Sequence, residues 1–188
     1  MMKYRKPLKV LESRDGKVRK QGKYGGMATN ILVLHGPNLN LLGEREPEIY
    51  GSQSLKEVNT LIKRESVSLH VKLKIYQSNS EGGLIDILQQ HRKWANGVVF
   101  NPGAYSHYSY ALRDAVSSIS KPTVEVHFSN LKVREKFRRT SVIAPVCIDQ
   151  ISGLGWRSYI EGIKLLCTRI SVGDAGKKSG WKLIKSAL

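Results

Sequence analysis

The chain has 188 residues, of which 40% are hydrophobic, and a formal net charge of +16. This length suffices for one domain with a full core but not for two, and no apolar run is long enough to span a bilayer. The charge invites a nucleic-acid hypothesis, but residues 1–26 hold nine basic and two acidic residues and residues 169–188 hold five and one, so the excess is concentrated in the tails.

Between the tails, strand-like and helix-like segments alternate along the chain. Predicted strands lie at 31–34, 71–77, 97–101, 123–128 and 142–148, and predicted helical segments lie at 54–71, 80–94, 106–119, 133–140 and 156–170. Ser54 with Glu57 three residues later forms a capping box at the start of the first helix. Pro145 interrupts the fifth strand and favours an edge or bulged position for it. This order predicts an α/β fold with a doubly wound parallel sheet, which for five strands is commonly ordered 2-1-3-4-5.

Three regions follow from these patterns. A basic leader at 1–27 is predicted to be disordered, because it has too little apolar surface to fold, and a basic tail is predicted at 171–188. The domain between them, 28–170, carries the predicted sheet. The leader lacks the apolar core of a signal peptide, although an organelle-targeting role stays open. Cys147 and Cys167 show no metal-like spacing, and a reducing compartment such as the cytoplasm is the simplest interpretation.

Polar residues follow four of the predicted strands. The segment from His35 to Asn38 follows strand 1, residues 77–80 end strand 2, Asn101 ends strand 3 and His127 lies near the end of strand 4. Doubly wound sheets bind ligands at the carboxyl ends of their strands. The topology therefore predicts a site at this edge.

Several kinds of chemistry are disfavoured there. The chain has no Walker loop and no G-x-G-x-x-G after strand 1, no G-x-S-x-G nucleophile elbow and no short-range metal-ligand spacing. Acid–base chemistry on a small polar molecule remains. Amides and hydroxyls at the strand ends suit a ligand with hydroxyl groups, and arginines suit a carboxylate.

Five segments, GPNLNLLGEREPEIYG, QSNSEG, NPGAYSHYSYALRDA, VEVHFSN and REKFRRTS, occur in this order. Their content and spacing resemble those of type II 3-dehydroquinate dehydratases, and the resemblance covers residues 30 to about 168. It implies a flavodoxin-like fold and conversion of 3-dehydroquinate to 3-dehydroshikimate, in the shikimate pathway or in quinate breakdown. It also implies a lyase without cofactor or metal that assembles as a homododecamer of trimers.

The resemblance implies catalytic roles that make physical sense. Tyr50 would be the general base; because a free tyrosine ionises only near pH 10, a nearby cation is needed to favour the phenolate, and Arg45 would supply it. Asn38 would hold a water at the enolate oxygen. His127 would protonate the departing hydroxyl. Glu125, two residues earlier on the same strand face, would hold the His127 tautomer and favour its charged form.

Substrate-binding roles follow from the same resemblance. Asn101 and His107 would contact substrate hydroxyls, and the backbone N–H groups of Phe128 and Ser129 would cradle the carboxylate. Arg138 would clamp a further hydroxyl. Arg134 is expected only as part of a closing loop.

Asp114 would reach the active site of a neighbouring subunit, although a surface pair with Arg113 is the simpler explanation. The chain departs from the family at His35, where asparagine is common, and at Asp149 and Gln150, in a segment that is usually small and apolar.

Two alternatives stay open: a flavodoxin-like binding module that has lost catalysis, and a basic RNA-binding protein.

Overall fold

Five parallel strands form the centre of the protein, in the order β2-β1-β3-β4-β5 that the sequence predicts. The computed structural model describes residues 28–177; the predicted leader, 1–27, and residues 178–188 of the predicted tail lie outside the described residues. The strands are β1 (Thr29–His35), β2 (Val71–Gln77), β3 (Gly97–Asn101), β4 (Thr123–His127) and β5 (Asp149–Ser152).

Helices cover both faces of this sheet. They are α1 (Pro47–Tyr50), α2 (Leu55–Ser66), α3 (Glu81–His91), α4 (Tyr110–Ser118) and α5 (Arg157–Lys177). Side chains alternate along β1, so Ile31 and Val33 pack with α2 and α5 while Leu32 and Leu34 pack with α3 and α4. Because both faces are buried, the apolar strands read as short continuous runs rather than as alternating ones.

Local sequence signals account for several helix boundaries. The predicted capping box is present at the start of α2, where the Ser54 side chain accepts from Glu57 N–H and the Glu57 carboxylate accepts from Ser54 N–H. α4 begins at Tyr110 rather than at residue 106, because a 3-10 turn precedes it and the Ser109 hydroxyl caps its first turn. α5 continues to Lys177, past residue 170 where the predicted helix ends. Within residues 28–177, no helix combines the length and apolarity that crossing a membrane requires.

The fifth strand was predicted at the wrong place. The apolar run 142–148 contains a 3-10 turn, Ala144–Val146, because Pro145 has no N–H to give a strand ladder. Most of its apolar residues still reach the core, where Ile143 is fully buried, but Ile148 is 39% exposed. The strand itself is the polar segment that follows, and its register places Gln150 opposite Glu125 of β4.

Candidate active site

A cleft lies at the carboxyl ends of β1, β3 and β4, where the sheet topology predicts a site. Its walls come from the loop after β1, the turn after β3 and the segment after β4. Nine predicted site residues line it: Asn38, Arg45, Tyr50, Asn101, His107, His127, Phe128, Ser129 and Arg138.

Two predicted residues do not line the cleft. Glu125 is fully buried directly behind His127. Asp114 is exposed on α4, outside the cleft. Its expected contact with a neighbouring subunit stays a prediction.

The first turn of the loop after β1 is held tightly. Asn38 has a left-handed backbone, with φ of 63°, and its N–H donates to Asn79 Oδ1 at 2.9 Å. Gln77 donates to the same oxygen at 2.8 Å and to the Gly36 carbonyl at 3.3 Å. A side chain at position 36 would lie 2.5 Å from the Pro102 carbonyl, so only glycine fits. Gln77 and Asn79 thus support the turn from strand 2, a role that their sequence positions alone did not indicate.

Tyr50 lies between two arginines. Arg134 Nη1 donates to the Tyr50 hydroxyl oxygen at 3.2 Å, and this hydrogen bond is the main reason that the pKa of Arg134 is raised. The Arg45 guanidinium lies over the ring, 5.0 Å from its centroid, and Arg45 pairs with Glu46 at 2.8 Å. The cation at the hydroxyl is therefore Arg134, and Arg45, the cation predicted for this role, lies over the ring instead. No local pattern could reveal this contact, because the two residues are 84 positions apart.

His127 and Glu125 form a buried pair. His127 Nε2 donates to Glu125 Oε1 at 2.6 Å. The carboxylate also accepts from Ser141 Oγ and from Gln150 Nε2, each at 2.8 Å. Three donors thus converge on this buried carboxylate. Because Nε2 is used in this way, Nδ1 is the nitrogen that remains for a ligand.

His107 is suited to form hydrogen bonds as a neutral imidazole. Its Nδ1 donates to the Thr140 carbonyl at 2.9 Å, which makes Nε2 the acceptor nitrogen, with Ser106 Oγ 3.4 Å away from it. Burial lowers the pKa of His107, and the hydrogen bond to the Thr140 carbonyl only partly offsets this effect. The imidazole is therefore neutral at pH 7.

The segment after β4 forms the remaining wall. The Phe128 side chain is buried against Tyr159, with ring centroids 5.6 Å apart. The Ser129 hydroxyl accepts from Arg134 Nη1 at 3.3 Å. Arg138 is 28% exposed and pairs weakly with Glu135, at 3.5 Å. Two guanidinium groups thus border the cleft beside the end of β4.

The sheet order and the position of the cleft define a flavodoxin-like α/β fold, and solved structures with this fold are similar to the chain. The type II dehydroquinase of Butyrivibrio crossotus is 46% identical and superposes with a TM-score of 0.73, over 75% of this chain and 99% of that chain. The type II dehydroquinase of Propionibacterium acnes is 37% identical with a TM-score of 0.72, over 76% and 98%.

Sequence comparisons identify the family. Residues 29–167 match the model of the class II dehydroquinases. The 3-dehydroquinate dehydratase of Trichodesmium erythraeum is 56% identical over 137 residues, which are 73% of this chain and 91% of that protein. The enzyme of the same name from Bacillus subtilis is 51% identical over 140 residues, or 74% and 95%. The chain belongs to the class II dehydroquinase family, and is thus a hydro-lyase.

Proposed function

We propose that the protein dehydrates 3-dehydroquinate to 3-dehydroshikimate in trans through an enolate, with Tyr50 as general base and His127 as general acid. The observation that carries this proposal is that a tyrosine hydroxyl and an imidazole in one cleft have neighbours of opposite charge. The Tyr50 hydroxyl meets a guanidinium, and His127 is backed by a buried carboxylate. A cation favours a phenolate and an anion favours an imidazolium, so one group is suited to accept a proton and the other to donate one.

The first step is proton removal. The Tyr50 phenolate takes a proton from the carbon alpha to the substrate ketone, and the C–H electrons move to the carbonyl oxygen to form the enolate. Arg134 stabilises the phenolate before transfer, and Arg45 lies against the ring face. Asn38, fixed by its left-handed turn, orients a water or its own amide toward the enolate oxygen.

The second step is loss of the hydroxyl. The enolate electrons re-form the ketone, the new C=C bond develops, and the C–O bond breaks. His127 gives the Nδ1 proton to the departing oxygen, which leaves as water. Tyr50 then holds an extra proton and His127 lacks one, so a proton must return from Tyr50 to His127 before the next turnover.

The remaining cleft residues suit the polar groups of this substrate. Neutral His107 and the Asn101 amide bind hydroxyls, and Arg138 binds a further hydroxyl. The N–H groups of Phe128 and Ser129 bind the carboxylate at the end of β4. Asp114, exposed on α4, contacts the active site of a neighbouring subunit in a dodecamer built of trimers.

The product serves either of two pathways, shikimate-based aromatic biosynthesis or quinate breakdown. Purified protein mixed with 3-dehydroquinate, without added metal or cofactor, is the direct test of the activity. We expect a rise in the ultraviolet absorbance of the conjugated enone. Tight binding of the substrate without that rise would contradict the proposal and would identify a binding module that has lost catalysis.

Arg134 provides a more specific prediction. Replacing it with leucine should lower kcat by about a hundredfold at neutral pH, because an oriented charge at the reacting group is lost. Steady-state kinetics of Arg134→Leu and Arg134→Lys measure this effect, and the lysine variant should lose less.

Arg92→Leu is the matched control, because Arg92 is an exposed arginine outside the cleft that donates to the Gln89 carbonyl. Equal activity of the Arg134→Leu and Arg92→Leu variants would show that Arg134 has no part in forming the phenolate.

A further inference from the structure

A chain of buried polar side chains lies behind the cleft. His35 and Tyr159 are fully buried and Asn101 is 2% exposed. His35 ends β1 and Asn101 ends β3, where the two residues are paired in register, while Tyr159 comes from α5. Asn101 lines the cleft, but His35 and Tyr159 do not. Burying each of these three polar side chains costs free energy of desolvation, so a function for them is expected.

The direction of each hydrogen bond in this series of side chains follows from which atoms can donate and which can only accept. His35 Nε2 lies 2.9 Å from Asn59 Oδ1, and His35 Nδ1 lies 2.8 Å from the Tyr159 hydroxyl. Burial lowers the pKa of His35 to about 4, so the ring carries a single proton at neutral pH. An amide oxygen only accepts, which places this proton on Nε2. Nδ1 is then an acceptor, and the Tyr159 hydroxyl donates to it.

The next link depends on that direction. Because the single hydroxyl hydrogen of Tyr159 points to His35, its oxygen can only accept toward Asn101. Asn101 Nδ2 donates to it at 3.0 Å. The Asn101 oxygen faces the other way and accepts from Gly103 N–H at 3.2 Å. Within residues 28–177, the second hydrogen of Asn101 Nδ2 has no protein partner, and it remains for a ligand in the cleft.

We propose that His35 and Tyr159 are positioning residues that, together with the Gly103 N–H, fix which way round the Asn101 amide faces, and so present an N–H donor to a substrate hydroxyl. The inference rests on the proposed function, because it requires a hydroxyl-bearing substrate at Asn101. A carboxamide alone can rotate to exchange its oxygen and nitrogen. The Gly103 N–H holds the amide oxygen on one side, and the His35 tautomer, acting through the Tyr159 hydroxyl, holds the amide nitrogen on the other.

A double-mutant cycle tests this coupling. Tyr159→Phe removes the hydroxyl but keeps the ring, which packs against Phe128 and His35. We expect kcat/KM for 3-dehydroquinate to fall about tenfold, mainly through KM, as for the loss of one oriented hydrogen bond. In an Asn101→Ala background the same substitution should change kcat/KM less than twofold, because the group that it orients is already gone.

A purely structural role of Tyr159 would give the same loss in both backgrounds, and that result would overturn the inference. An unchanged kcat/KM in Tyr159→Phe alone would do the same. Tyr76→Phe is the control, since Tyr76 is a partly exposed tyrosine that stacks on His91 outside the cleft. It should change nothing in either background.

His35→Leu is a second variant for the case in which Tyr159→Phe does not fold. It frees the Tyr159 hydrogen to turn toward Asn101, and the same non-additive pattern is expected. Thermal unfolding of each variant confirms that it is folded at the assay temperature. If the wild type does not turn over 3-dehydroquinate, the proposed function fails; if it does and the cycle is additive, only the role of His35 and Tyr159 fails.

Discussion

Tyr50→Phe is expected to lower kcat for 3-dehydroquinate by about a thousandfold or more, which is within the range for loss of a general base. Phenylalanine keeps the ring, which packs against the core and lies beneath the Arg45 guanidinium. It removes only the oxygen that accepts from Arg134 and would accept the substrate proton. KM should change much less than kcat, because the cleft keeps its shape. Steady-state kinetics at neutral pH measure both constants.

Tyr110→Phe is the matched control for this substitution. Tyr110 is 64% exposed at the start of α4, outside the cleft, so loss of its hydroxyl should leave kcat unchanged. Circular dichroism and thermal unfolding should be the same for both variants and the wild type. Activity of Tyr50→Phe within tenfold of the wild type would remove Tyr50 from the role of base.

His127→Asn is expected to lower kcat by a hundredfold to ten-thousandfold, since the departing hydroxyl no longer receives a proton. The variant should remain folded, because Glu125 keeps the hydrogen bonds from Ser141 and Gln150. Proton removal precedes the step in which His127 acts. The variant should therefore still form the enolate, and should exchange the substrate's alpha hydrogen for deuterium in D2O without releasing product.

This exchange separates the two proposed roles, because Tyr50→Phe should show neither exchange nor product. Mass spectrometry of recovered substrate provides the measurement. His70→Asn is the control: His70 is exposed, and its left-handed backbone, with φ of 52°, is one that asparagine tolerates. Normal product release by His127→Asn, or loss of exchange in it, would contradict the assignment of His127 as the acid.

Periodicity was enough to predict most of the fold. Apolar runs alternating with helical patterns predicted the doubly wound parallel sheet, whose commonest five-stranded order is the one observed, and the segment Gly97–Asn101 was predicted with its observed bounds. The fifth strand was predicted at the wrong place because the prediction rested on apolar content. At the sheet edge most of the apolar run 142–148 packs against the core as an irregular segment. The strand next to it is polar, because its ladder requires backbone groups rather than apolar side chains.

For the candidate site too, the sequence predicted which residues lie there but not which of them contact one another. Sequence motifs and topology predicted nine residues that now line one cleft, because the carboxyl ends of parallel strands meet at one edge. They did not predict which arginine touches the Tyr50 hydroxyl. They also did not show that Gln77 and Asn79 hold the Asn38 turn, or that Gln150 contacts Glu125.

The sequence by itself therefore determined the α/β sheet, its order and the chemical types of the residues at its edge, since these depend on local periodicity and on the fixed direction of parallel strands. Only the tertiary structure decided the partners of those residues. Tyr50 and Arg134, or His35, Tyr159 and Asn101, meet through loops and a helix far apart in the chain. A difference of a few tenths of an ångström in the donor–acceptor distance decides whether a hydrogen bond forms, and the packing of the whole domain sets that distance.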